Sequence, residues 1–173
     1  AAGDGVYVLG RSGAELGASE FQQLFGPPGG CVPAVRPAEA LALYYKVMAA
    51  NRAGLIRSSH DLSDGGLAVA LAETTFGTGL GLRVAIDPVA DTVDHPDPRR
   101  RLCAALFGES PSRFVVTVRP EHRARFEEIL GAAAVRIGEA TADPIFRIAW
   151  RGQPLVDGPC TDLLQAWQKE LLA

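Results

Sequence analysis

The chain has 173 residues, 47% of them hydrophobic and 21% charged, with a formal net charge of −3. That length and apolar content suffice for one domain with a real core, and the acidic balance lacks the basic face on which nucleic-acid binding depends. No run approaches the roughly 20 uninterrupted apolar residues of a membrane helix, and no basic start leads through an apolar run to a small-residue cleavage site, so neither a membrane nor a secreted setting is expected.

Gly5 to Gly10 reads as a short buried strand bracketed by glycines. A polar stretch from Ser19 to Gln23 leads into a short helix closed by Gly26-Pro27-Pro28-Gly29-Gly30. From Pro37 to Leu55 the apolar positions Ala40, Leu41, Tyr44, Val47 and Met48 recur at helical spacing, with Pro37 suited to the first turn and Gly54 to the end. A strand entered by Ile56 ends at His60 and Asp61, and Leu67 to Glu73 follows as a helix apolar on nearly every face, hence buried.

Leu82 to Ile86 alternates as a strand, a polar and acidic loop runs to Pro98, and Arg99 to Phe107 returns to helix. Arg113 to Val118 is strongly β-prone, a helix falls between His122 and Ala134, and Val135 to Ile137 is a strand that ends at Gly138-Glu139-Ala140-Thr141, read as a turn. Ile145 to Trp150 and Pro154 to Val156 flank Arg151-Gly152-Gln153 as a hairpin, and Asp162 to Leu172 closes as a helix. Helices mixed with strands joined by both hairpins and crossovers define an α+β chain with helices packed on a mixed β-sheet.

Polar chemistry concentrates in Ser59 to Glu73. Ser63 or Asp64 can cap the helix, and Gly65 and Gly66 let the backbone turn tightly with its N–H groups exposed to a phosphate. Asp61 and Asp64, three residues apart, can share a magnesium ion, whose ligands are oxygens and retained waters. The same spacing fits a structural pair, with Asp64 as the cap and Asp61 on loop amides. His60 at a strand end is read as a structural hydrogen-bond partner before a general base.

In Phe107-Gly108-Glu109-Ser110-Pro111-Ser112-Arg113, Ser and Arg suit a phosphate and Glu a metal or ribose hydroxyl, against a capping and turn role. The turn Gly10-Arg11-Ser12-Gly13 can hold an anion, but no Walker pattern exists. Arg99-Arg100-Arg101 follows Asp97 and Pro98 and reads as a solvated helix start. Cys31, Cys103 and Cys160 are odd in number and widely spaced, which fits a reducing cytoplasm rather than a disulfide scaffold. Met48 is the only methionine and the chain starts at Ala1, so a piece of a longer protein is expected.

Gly5 to Arg11 with Glu15-Leu16-Gly17-Ala18-Ser19-Glu20, the run from His60 to Glu73, Leu106 to Arg113, and Ile137-Gly138-Glu139 together resemble the carboxy-terminal domain of the aminoimidazole-ribonucleotide-synthetase-like superfamily, and within it the last domain of the phosphoribosylformylglycinamidine synthase large subunits. The resemblance covers nearly the whole chain. It implies one domain over residues 1–173, the last of a longer chain. It also implies an ATP- and Mg2+-dependent ligase of de novo purine synthesis, which phosphorylates the formylglycinamide amide oxygen and replaces it with ammonia derived from glutamine. The implied partners are the other domains of the same large subunit, a glutaminase subunit or domain, and a small accessory subunit, all cytoplasmic.

In that family the catalytic histidine and most ATP contacts belong to other domains, so no catalytic residue is expected here. Asp61 and Glu109-Ser110-Pro111 correspond to a magnesium-binding aspartate and a substrate-contacting Glu-Ser-Gln segment of the family's first copy of this domain. Pro111 stands where that segment has Gln and lacks its side-chain amide, which implies a supporting role. The resemblance thus nominates Gly65, Gly66, Glu109 and Ser110 for the nucleotide or substrate, Asp61 and Asp64 for the metal, and a sheet face turned toward a sister copy. Two other readings stay open: an independent module for a phosphorylated small molecule, and the equivalent domain of a selenophosphate synthetase- or thiamine-phosphate kinase-like enzyme. The Gly-Glu-Ser-Pro-Ser-Arg segment favours the synthase over the latter.

Overall fold

Gly5–Leu9 forms strand β1, and all five of its residues are buried. A short strand without polar alternation belongs where both faces of a sheet are covered. Val6 and Val8 enter one core while Tyr7 and Leu9 enter another, so β1 is the shared wall of two hydrophobic clusters. The computed structural model describes residues 1–26 and 30–171; Pro27, Pro28 and Gly29 of the expected loop, and Leu172 of the expected closing helix, lie outside the described residues.

The remaining elements are α1 (Glu20–Phe25), α2 (Pro37–Arg52), β2 (Ile56–Asp61), α3 (Gly66–Glu73), β3 (Gly81–Ala85), α4 (Asp87–Ala90), α5 (Pro98–Phe107), β4 (Phe114–Val118), α6 (Arg123–Leu130), β5 (Ala134–Thr141), β6 (Ile145–Trp150), β7 (Gln153–Pro159) and α7 (Cys160–Leu171). The strands make one seven-stranded sheet in the order β2-β4-β1-β5-β3-β6-β7. Among the described residues only β3 and β6 run parallel; the other pairs are antiparallel. The expected α+β class with a mixed sheet is the fold observed.

Helices cover both faces. Residues of α3, α4 and α5 pack with Val6, Val8, Val84 and Ile148 on one side, and Leu43 of α2 with Phe126 and Leu130 of α6 pack with Tyr7, Leu9 and Val116 on the other. Cover on the second side is partial: Arg83 and Ala85 of β3 and most residues of β2 and β7 are exposed. Tyr7 donates to Glu127 Oε1 at 2.7 Å and meets Phe126 edge to face at 5.0 Å. Burial, then the Glu127 carboxylate, push its phenol above the ordinary value.

Of the apolar positions that recur along α2, Ala40 is buried and Val47 packs partly buried on the core, whereas Leu41, Tyr44 and Met48 are 40–53% exposed; Leu43 and Ala50 complete the buried face. Three local expectations change. The acidic loop after β3 contains the single-turn helix α4, whose Val89 and Ala90 are buried. Gly138-Glu139-Ala140-Thr141 is not a turn but the second half of β5, where a Cβ on Gly138 would meet Arg83 O, and Arg83 donates to Glu139 Oε1 at 2.8 Å. Neither Ser63 nor Asp64 caps α3; its N-cap is Gly65, at φ +75°. The hairpin holds, and Arg151 and Gly152 both adopt positive φ, as a two-residue type I′ turn requires.

Candidate functional site

Strand register gathers the polar segments at one end of the sheet. Leu9 pairs with Phe114 and Ala134, and Asp61 pairs with Phe114, so the loops that leave β1 and β2 and those that enter β4 and β5 share that end. The turn Leu62 to Gly65 and the segment Gly108 to Arg113 thus become neighbours although 44 residues separate Gly65 from Glu109.

Glu109 locks them together. Its Oε1 accepts from Gly65 N at 2.9 Å and from Glu20 N at 3.1 Å, so one carboxylate serves the amino ends of both α3 and α1. A carboxylate suits such a place because the first-turn N–H groups of a helix have no partner within it and carry partial positive charge. Gly66 completes the approach: at φ +65°, a Cβ would come within 2.6 Å of Gly108 O and 2.9 Å of Phe107 C. The two glycines expected to give backbone freedom do so, Gly65 for the cap and Gly66 for close contact with the Gly108 segment. Phe21 of α1 stacks on Phe107 at 4.9 Å and fixes the same corner.

Arg113 lies beneath. It is the largest side chain that is fully buried, 1% exposed. Its Nη1 donates to Ser12 Oγ at 3.1 Å, its Nε to Ser110 O at 3.0 Å, and its Nη2 to Gly108 O. Desolvation lowers its pKa to about 10, against the stabilising charges of Glu15 and Glu109. The phosphate reading of this arginine gives way to a structural one, since its donors are turned inward.

Ser110 is also buried, 1% exposed, and its Oγ accepts from Gly13 N at 3.0 Å. The Gly10 to Gly13 turn is therefore tied to Gly108–Arg113 by two hydrogen bonds, from Gly13 and to Ser12. Glu15, 4% exposed, binds Arg36 Nη2 at 2.5 Å and accepts from Ala34 N at 3.3 Å. Burial opposes its charge, but Arg36, the Ser110 hydroxyl and the Ala34 amide together hold its carboxyl below the ordinary value.

The two carboxylates nominated for a metal stand at the rim. Asp61 has a side chain 70% exposed with His60 Nδ1 3.9 Å away, and Asp64 is exposed. Among the described residues no group of three or more His, Cys, Asp or Glu is placed to hold a metal ion. His60 Nε2 lies 2.8 Å from Glu73 Oε2, the structural bond expected of it. Beside this end, under α2, lies a cavity of about 330 Å³ whose polar lining includes Arg11, Arg36, Glu39, Lys46 and Ser112. Glu15, Arg36 and the inward role of Arg113 escaped the sequence reading. The detectable signal was Glu15, a lone acid between glycine- and alanine-rich stretches.

A seven-stranded mixed sheet with helices on both faces, its glycine- and acid-rich loops gathered at one end, defines the class as an aminoimidazole-ribonucleotide-synthetase-like domain. The chain belongs to the family "AIR synthase related protein, C-terminal domain", whose model matches residues 1–151. It is 35% identical over 170 residues to the phosphoribosylformylglycinamidine synthase subunit PurL of Lactobacillus delbrueckii subsp. bulgaricus, covering 98% of this chain but 21% of that protein. The chain thus spans about a fifth of the length of the curated relatives it matches.

Among solved structures, PurL of Thermotoga maritima complexed with FGAR superposes with a TM-score of 0.76 at 22% identity, over 94% of this chain and 28% of that one. The hydrogenase maturation protein HypE of E. coli superposes with a TM-score of 0.62 at 20% identity, over 90% of this chain and 49% of that one. At these identities the superpositions establish the fold alone. No helix among the described residues is long and apolar enough to cross a membrane.

Proposed function

We propose that this chain is the last domain of a longer PurL-type polypeptide, an ATP-dependent ligase of the cytoplasm that converts formylglycinamide ribonucleotide to formylglycinamidine ribonucleotide with glutamine-derived ammonia. The supporting observation is the 35% identity to PurL across 98% of the chain. Its partners are then the other domains of the same large subunit, a glutaminase subunit or domain, and a small accessory subunit.

Within that enzyme the domain's work is to hold, not to react. Three groups near the site are committed, His60 to Glu73, Glu109 to two amides and Arg113 to Ser12 and two carbonyls, while Asp61 and Asp64 stand exposed at the rim. Gly65 and Gly66 shape a tight turn that walls a phosphate-bearing ligand, while Glu109 and the buried Ser110 keep it in place from behind. Such pre-set backbone contributes to catalysis only so far as it meets the reacting groups differently in the transition state.

Magnesium fits here in one mode only. Asp61 and Asp64 are exposed carboxylates without a third protein ligand among the described residues, so they suit an ion that keeps its waters and completes its shell with substrate phosphate oxygens, not a closed protein cage. When bound, the ion would neutralise phosphate charge.

The test is an assay of ATP-dependent amidation of formylglycinamide ribonucleotide, with ammonium as nitrogen source. Activity is expected in the longer polypeptide that ends in this chain and not in the 173 residues alone. A longer polypeptide devoid of this activity would remove the proposal.

A further inference from the structure

The cavity of about 330 Å³ under α2 has the size of a small-molecule site. Its floor is apolar. Leu43 reaches Gly10, where a Cβ would meet Leu43 Cδ2 at 3.2 Å, and Ala40, Ala133 and Val135 continue the wall. Arg36, Glu39, Leu43 and Lys46 recur at i, i+3, i+7 and i+10, so they line the cavity from one side of α2. Arg11 and Ser112 line it from the loops that leave β1 and enter β4.

The charges around this floor do not cancel. Arg36 is engaged, with Glu15 at 2.5 Å and Ala34 O at 3.1 Å. Of the Gly10-Arg11-Ser12-Gly13 turn, Ser12 and Gly13 are bound to Arg113 and Ser110, which leaves Arg11 for an anion. Arg11 meets Glu39 at 3.7 Å through one nitrogen, with both side chains more than half exposed, so most of its donors are free. Lys46 makes no ion pair among the described residues; its ammonium gives one proton to Leu130 O at 3.1 Å and keeps two. Tyr44 Oη and Ser112 Oγ lie 2.7 Å apart. A phenol is a stronger acid than an alcohol, so Tyr44 donates and the Ser112 proton is left for a ligand. Among the described residues that line the cavity, Glu39 is the one acid. Excess donors and positive charge above an apolar floor select an oxyanion attached to an organic body.

We propose that this cavity binds a phosphate monoester, with the phosphate between Arg11 and Lys46 and the organic body on Leu43 and Val135. Phosphate suits the donor set better than a carboxylate does. Its three free oxygens engage an arginine fork, a lysine ammonium and the Ser112 hydroxyl together, whereas a carboxylate has only two. Glu39 opposes the anion, because it holds Arg11 and repels the phosphate; its removal therefore tightens binding. An acidic side chain from another domain of a longer polypeptide would meet the same donors, and the experiment separates the two occupants. The inference goes beyond the ligase reading and does not depend on it.

The test is calorimetric titration with phenyl phosphate, beside phenol and benzoate, of the 173-residue protein and of the longer polypeptide that ends in it. Phenyl phosphate is expected to bind both with Kd below about 1 mM, benzoate at least about fivefold more weakly, and phenol not at all. Lys46→Gln keeps a donor for Leu130 O without the charge, and Arg11→Gln alters an exposed side chain. Each is expected to weaken binding at least about fivefold, and Glu39→Gln to strengthen it, with the melting transitions retained. Arg100→Gln, an exposed cation outside the cavity, is expected to leave it unchanged. No saturable binding, binding indifferent to Lys46→Gln and Arg11→Gln, or binding weakened as much by Arg100→Gln would overturn the proposal. Binding by the 173 residues but not by the longer polypeptide would overturn it too, and assign the cavity to another domain. If the 173 residues do not fold alone, the longer polypeptide carries the test. Titration reads no turnover, so a longer polypeptide that binds phenyl phosphate without amidating loses only the ligase reading.

Discussion

Glu109 caps the helix that Gly65 begins, at 2.9 Å and from 44 residues away in sequence. The same oxygen serves Glu20 N, so removing it uncovers two helix ends at once. Glu109→Ala is expected to cost about 1–2 kcal/mol, as lost caps do, and Glu109→Gln, which keeps an acceptor oxygen, less. Urea unfolding of the three proteins checks the order; equal stability of the alanine variant would show that the cap contributes nothing.

Gly66 and Gly152 separate backbone strain from lack of space. Their φ angles are similar, +65° and +72°, but a Cβ on Gly66 collides with the Gly108 backbone while one on Gly152 meets nothing within 4 Å. Gly152→Ala should cost about 1 kcal/mol, the ordinary left-handed penalty, and Gly66→Ala at least about twice that, since the segments must part. Thermal melts of the two variants decide it, and matched values would mean the close approach is dispensable.

Arg113 joins three segments through a planar fork. Arg113→Lys keeps the charge but cannot reach Ser12, Ser110 O and Gly108 O together. It is expected to lose about 2–4 kcal/mol, because buried acceptors are left unpaired. A lysine variant as stable as the parent in denaturant would refute the strut.

Glu15 sets a pH dependence. Its carboxyl is held below the ordinary carboxylate value, so the folded chain binds that proton less tightly than the unfolded chain. Its stabilisation is complete above the ordinary carboxylate value of the unfolded chain and is lost as pH falls through the lower, folded value. Glu15→Gln should therefore be destabilising at pH 7, by about 1–3 kcal/mol for a charged hydrogen-bonded pair, and the gap to the parent should narrow on acidification. A gap that stays constant with pH in denaturant titrations would sink this assignment.

Much of this was legible from residues alone because it is local. The apolar run of β1, the Pro37 start of α2, the Arg151-Gly152 turn and the glycines ahead of α3 each carry their cause within a few positions. What was not legible depends on who packs where. Leu41, Tyr44 and Met48 share the helical period of core residues, and the period cannot say which of two apolar faces meets the sheet. Ser63 and Asp64 have the chemistry of caps, yet the cap comes from Glu109, because the left-handed Gly65 presents its amide to the neighbouring segment. Arg113 has the chemistry of a phosphate ligand, and only burial reveals that its donors are already taken.

The proposed supporting role of this end is tested most directly by the steady-state kinetics of Glu109→Gln in the longer polypeptide proposed to be the ligase. If the domain holds ligand-facing backbone without entering the chemistry, KM for the nucleotide substrate rises about three- to tenfold and kcat stays within about threefold. A kcat lowered about a thousandfold at unchanged KM would place Glu109 in the reaction itself and contradict the assignment.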